Sequence, residues 1–188
     1  KNMTEFVAWA KANDGKVNFA SGGNASITHL NGELVNMVAG LKMTHVPYKG
    51  GGTQLADALA GEFEVLSSNV GELQLRYVRE GRLKALAVGA PVRLDVLPNV
   101  PTLAEAGFPD ANLASTFGLF APGRTPPQTI SRLNRAFNAA LRDPSIQRRL
   151  QAMGNLPTGG SAADFGAQIA RDRSLAADSL RDGPPRQP

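Results

Sequence analysis

The chain has 188 residues, 42% of them apolar and 19% charged, no cysteine, and a formal net charge of +4. That length and balance predict one large domain or two small ones with a sizeable core and exclude a disordered chain; the missing thiol excludes disulfides, thiolate metal sites and cysteine nucleophiles. Ten of the twenty Lys and Arg residues follow Pro122, against five of the sixteen acids, and they are spread over helical segments with few aromatics between them, which reads as solvated helix surface rather than a nucleic-acid track.

Thr4 is placed to cap a helix running to about Ala12, with Phe6, Trp9 and Ala10 on one face and Asn13-Asp14-Gly15 as its stop. Val17 and Phe19 alternate with polar neighbours as in a short strand. The strand breaks at Ser21-Gly22-Gly23-Asn24, and a helix follows at once from Ser26 to Ala39, with Ile27, Leu30, Leu34 and Met37 or Val38 at helical spacing and Gly40 as C-cap. The pattern repeats: a strand from Met43 to Tyr48, a loop at Gly50-Gly51-Gly52, and a helix from Thr53, as its cap, to Ala60. It repeats again with Phe63 to Leu66, the polar break Ser67-Ser68-Asn69, and a helix from Val70 to Glu80. Leu83 to Val88 has the apolar continuity of a strand buried on both faces. Strands alternating with helices of about ten residues predict βαβ units and a parallel sheet.

Pro91 to Phe108 contains three prolines and reads as a surface connection with one helical turn; Phe117 to Pro122 reads as a strand closed by proline. From Pro127 the chain is helical: Pro127 to Arg142, Pro144 to Met153 behind Asp143, and Ala162 to Arg181, where Ser161 and Asp164 have capping-box spacing. The tail Gly183 to Pro188 is expected to be disordered. No window reaches the ~20 apolar residues of a membrane span, and Lys1-Asn2-Met3-Thr4 lacks the basic and apolar regions of a signal peptide.

The residues that could carry chemistry point to binding. Ser21 to Ser26 joins a strand to a helix N-terminus through Gly22 and Gly23, which let a ligand approach the backbone, while the helix end presents N–H groups and partial positive charge to an anion. The sequence YKGGGT, Tyr48 to Thr53, has lysine before the glycines, the reverse of a nucleotide-binding phosphate loop. His29 and His45 are the sole histidines and have no acid at a telling spacing for a metal. No G-x-S-x-G elbow occurs, and Glu62 and Glu64 flank a strand residue and face solvent, so neither serine hydrolysis nor paired-carboxylate chemistry is supported. The expectation is of no catalytic residue, no metal and no cofactor.

Three stretches, GKVNFASGGNASITHLNGELVNMVAGLKMTHVPYKGGGTQLADALAGEFEV, GRLKALAVGAPVRLDVLPNVPTLAEAGFP and FGLFAPGRTPPQTISRLNRAFNAALRDPSIQRRLQAMGNLPTGG, resemble the solute-binding proteins of tripartite tricarboxylate transporters, the Bug or TctC-like family. The resemblance covers nearly all of the chain in the family's order. It implies the type II periplasmic binding protein fold, two α/β lobes closing on a small carboxylate, with delivery to integral membrane permease subunits and no catalysis. Residues 1–112 correspond to the family's second lobe, residues 113–182 to the returning part of the first, and 183–188 to the tail.

By the same resemblance Ser21, Gly22, Gly23, Asn24 and Ser26 meet the ligand carboxylate through amides and hydroxyls, and Tyr48, Ser68 and Asn69 line the same cleft. Two departures bear on specificity. Ser68 stands where the family commonly has an aspartate able to pair with an amino group, which favours a plain carboxylate over an amino acid; Thr116 stands where an aromatic wall is frequent. By the resemblance the chain begins where the family's second lobe begins, without the segment that supplies the other wall, so the faces at Ile130, Leu133, Phe137 and Leu141 are expected to associate as a homodimer or domain swap. The expected location is periplasmic. A ligand-sensing regulatory domain of the same bilobal fold, and an inactive fragment, are the alternative readings.

Overall fold

The computed structural model describes residues 2–181, with the side chains of 175–181 excluded; the expected disordered tail lies outside the described residues. The chain forms two compact units, one ending at Ser115 and the other Thr116–Arg181.

The first unit opens with α1 (Met3–Ala12), capped by Asn2, whose side chain accepts the Glu5 amide at 2.9 Å. Thr4, the expected cap, lies inside the helix; the shorter reach to an N3 amide belongs to Asn2. Then come β1 (Asn18–Ser21), α2 (Ile27–Ala39), β2 (Thr44–Pro47), α3 (Gly51–Ala60), β3 (Val65–Leu66) and α4 (Glu72–Arg79). The strands form one parallel sheet in the order β2-β1-β3, with Asn18 opposite Thr44, Ser21 opposite Pro47 and Ala20 opposite Leu66.

α2 is bracketed as its sequence dictates: Ser26 accepts the His29 amide, and Gly40 closes the helix in the left-handed region at φ 61°. Leu30, Leu34, Val35 and Ala39 make the buried face, while Met37 and Val38 are exposed. Gly32 sits over Phe19, where any Cβ would collide with the ring, so the helix approaches the central strand closely. Phe19 is fully buried and lies in one apolar cluster with Val17, Leu34, Val35, Leu41, Met43, Leu103 and Ala111. Buried Asn36 joins helix to sheet: its Nδ2 donates to Met43 O and its Oδ1 accepts Met43 N, both at 3.0 Å.

Four expectations are corrected. α3 starts at Gly51 behind Gly50 at φ 103°, without a side-chain cap; Thr53 lies in the first turn. α4 starts at Glu72 rather than Val70. Leu83–Val88 is not a strand: Val88 alone makes a bridge, to Thr102, and Leu86 and Ala87 are half-buried. An apolar run becomes a strand only where a neighbour offers a ladder. Pro91–Phe108 is the irregular connection expected, with one turn at 103–107, but it does not lie wholly on the surface. Leu94, Thr102 and Leu103 are buried, Leu94 packs with Val88 and Ala90, and Thr102 and Glu105 cap each other across a tight turn.

The second unit contains α5 (Pro127–Leu141), α6 (Pro144–Ala152) and α7 (Ala162–Arg181). Asp143 caps α6 by accepting the Ser145 amide at 2.7 Å. Ser161 and Asp164 form the expected reciprocal box: the Ser161 hydroxyl accepts the Asp164 amide at 3.0 Å and donates to its carboxylate at 2.6 Å. Phe117–Pro122, expected as a strand, pairs with none of the described strands, and Phe117, Leu119 and Phe120 are exposed.

Candidate functional site

Because the three strands run parallel, their carboxyl ends come together, and the chain leaves all three on the same edge. Tyr48 N donates to Ser21 O at 3.0 Å and Ser67 N donates to Ala20 O at 2.9 Å, so the residues after each strand remain side by side. β1 connects through α2 to β2 on one side, and β2 connects through α3 to β3 on the other; at such a reversal the crevice beyond the strand ends is open for a ligand. The Ser67 hydroxyl donates to Thr28 O at 2.6 Å and buried Gln54 donates to Ser67 O at 3.0 Å, which seats the 67–69 segment against the first turn of α2.

The loop from Ser21 to Ser26 is wired internally. Gly22 N donates to Thr28 Oγ1 at 3.2 Å; because the Ser26 hydroxyl donates to Gly23 O at 2.8 Å, the proton between Thr28 and Ser26, 2.9 Å apart, comes from Thr28. Ser21 is fully buried. Its Oγ accepts Gly23 N at 3.2 Å and shares a hydrogen bond with His45 Nε2 at 2.7 Å. Ala25, the non-glycine residue with positive φ among those described, stands at φ 59° with its amide donating to His29 Nδ1 at 3.1 Å.

The side chains of Ser21 and Ser26 are thus occupied in building the loop. Among the described residues, no intramolecular partner takes the amides of Asn24, Ile27 and Thr28 or the hydroxyl of half-buried Ser68. Asn69 accepts the Ser115 hydroxyl at 2.6 Å, which leaves its amide nitrogen to donate. The Tyr48 hydroxyl donates to Asp57 at 2.7 Å, which pushes its pKa up, and its ring rests 5.7 Å from Phe63. Neither Ser21–Thr28 nor Ser67–Asn69 contains a carboxylate. The free groups are donors, and a cluster of donors at a helix N-terminus suits an anion.

The sequence reading missed the histidine pair. His29 and His45 stack with ring centroids 3.9 Å apart, and Phe19 lies 5.0 Å from His45 and 6.3 Å from His29. Burial, with the charge of His29 second, pushes His45 down to about 4. Glu33, one turn along α2, faces His29 Nε2 at 3.5 Å. Among the described residues no group of three or more His, Asp or Glu is placed to hold a metal. Thr28 and Gln54 were also missed; each is a polar residue at a helix start whose role depends on the neighbouring strand end.

The sequence profile of the tripartite tricarboxylate transporter family receptor, TctC, matches residues 1–180. The chain belongs to this family. A UPF0065 protein of Agrobacterium vitis is 32% identical over 181 residues, which cover 96% of this chain and 51% of that protein. A structure described as a periplasmic transporter superposes with a TM-score of 0.89 at 35% identity, covering 97% of this chain and 60% of the other. An R. palustris protein solved with adipate gives a TM-score of 0.84 at 30% identity, covering 95% and 60%. The chain spans about half the length of the curated relatives it matches. Its fold is that of the TctC receptors, periplasmic binding proteins of type II, and the family's role is solute binding. Among the described residues no helix is long and apolar enough to cross a membrane.

Proposed function

We propose that this TctC-family chain captures a small carboxylate outside the cytoplasm, in the periplasm, and delivers it unchanged to the integral membrane subunits of a tripartite tricarboxylate transporter. The observation that carries the reading is the donor cluster where the three parallel strands end: the free amides of Asn24, Ile27 and Thr28 with the Ser68 hydroxyl, on two loop segments that themselves carry no acid. Ser21, Gly22, Gly23 and Ser26 shape that cluster; Asn24, Ser68 and Asn69 face the ligand with donors, and Tyr48 braces the neighbouring turn. Residues 1–112 act as one ligand-holding lobe and 113–182 as part of the second. The adipate held by the R. palustris relative favours a dicarboxylate, and Ser68 supplies no charge for an amino group.

Titration of the chain with adipate, succinate and citrate, read by thermal unfolding, tests the reading. A ligand at about 100 times its dissociation constant stabilises by about 2.7 kcal/mol. A cooperative melt unmoved by every acid overturns it for this length of chain. The exposed Phe117, Leu119, Phe120, Leu133 and Phe137 support association with a second copy; light scattering that finds a monomer at tens of micromolar, in round figures, contradicts that part.

A further inference from the structure

We propose that His29 is a positioning residue for the carboxylate loop: its Nδ1 lone pair holds the Ala25 amide, and with it the turn that leaves the Asn24, Ile27 and Thr28 amides free to donate. This rests on the reading of that loop as the ligand site.

Left-handed backbone is unfavourable for a residue with a Cβ, and at φ 59° Ala25 is held there by its neighbours. Its amide donates to His29 Nδ1 at 3.1 Å. That bond requires Nδ1 without a proton, so the ring hydrogen is on Nε2, the nitrogen that faces Glu33 at 3.5 Å. The imidazole plane is set by stacking on His45, 3.9 Å away and tilted by 23°, and by Phe19 beyond it. Acceptor, tautomer and ring orientation are therefore each fixed by a separate group.

The bond depends on one lone pair, because a hydrogen on Nδ1 would remove the acceptor and face the Ala25 amide donor to donor. The titratable groups facing His29 are His45 from β2 and Glu33 from its own helix; β1 presents Phe19 and Ser21, and the short turn Pro109–Ala111 packed on α2 presents buried Ala111, with Asp110 exposed. His45, depressed to about 4 by burial, stays neutral over the range in which histidines ordinarily titrate.

The test compares His29→Phe, which keeps a stacking ring and lacks the acceptor, with His29→Asn, whose side-chain oxygen reaches the place of Nδ1. Adipate affinity should fall about fivefold to tenfold in His29→Phe and return towards wild type in His29→Asn. Unchanged affinity in His29→Phe, or no recovery in His29→Asn, overturns the proposal. Amide exchange at Ala25 and the nitrogen spectrum of His29 answer independently of any ligand. A slowly exchanging Ala25 amide and an unprotonated Nδ1, with exchange accelerated in His29→Phe, support the positioning role even where adipate does not bind; a freely exchanging Ala25 amide in the wild-type chain refutes it.

Discussion

Helices α2 and α5 have similar lengths, thirteen and fifteen residues, and opposite fates. α2 buries seven residues; α5 buries none, and its Leu133 and Phe137 remain exposed. Both carry an apolar stripe at helical spacing, so the stripe is not the difference. α2 has a strand beneath it, and Gly32 lets it descend onto Phe19. α5 touches α6 and α7 without a strand beneath it and is tied by polar bonds: Asn134 and Asn138 donate to Gly160 O at 2.9 and 2.8 Å, and Gly160 N donates back to Asn138 at 2.9 Å. An amphipathic helix is a surface awaiting a partner: α6 and α7 touch α5 and leave its face half-covered, and among the described residues only the first unit encloses such a face fully.

The sharpest way to break the contrast is to truncate an aromatic ring in each unit. Phe19→Ala should cost about 3–5 kcal/mol by urea unfolding, because Phe19 is fully enclosed, whereas Phe120→Ala, at a ring 77% exposed, should stay within about 0.5 kcal/mol. Equal losses would show that the second unit hides a core of its own. Asn36→Ala should cost about 1–3 kcal/mol by stranding the Met43 amide and carbonyl in a buried place; a neutral result would mean that water reaches that junction.

Acid should weaken the first unit by less. His45 is held near 4 in the fold against an ordinary 6.5, so between those values the unfolded chain binds more protons and stability falls as pH drops. The melting temperature should decline from about pH 6.5 towards about 4, and His45→Asn should flatten that slope; an unchanged slope assigns it to other groups. The smallest effect is expected in the second unit. Asp143→Ala should remove about 1 kcal/mol from α6, seen as faster amide exchange in Pro144–Ala152 with the unfolding of the first unit unmoved.

What was legible in the sequence was what is decided locally. Ser26 and Gly40 bracket α2 because a cap acts within four residues, and the Ser161–Asp164 box forms for the same reason. The alternation of strands and helices was enough for a parallel sheet. Leu83–Val88 and Phe117–Pro122 misled because an apolar run does not announce whether a ladder waits beside it. At the site, the glycine break marked the loop, and Ser21 shares the strand face of Phe19, which foretells its burial. The His29–His45 stack was not readable, since it depends on the pairing of Phe19 with His45 across β1 and β2.

The placement of β1 between β2 and β3 also has a consequence in time. The middle strand is the first of the three to be synthesised, and its second neighbour is complete only at Leu66. At about 5–20 residues per second on the ribosome, β1 waits several seconds with one edge open. A short strand of four residues keeps that open edge small. That edge is open to pairing with another chain until Leu66 emerges, so a chaperone that shields Asn18–Ser21 should matter most before β3 is made.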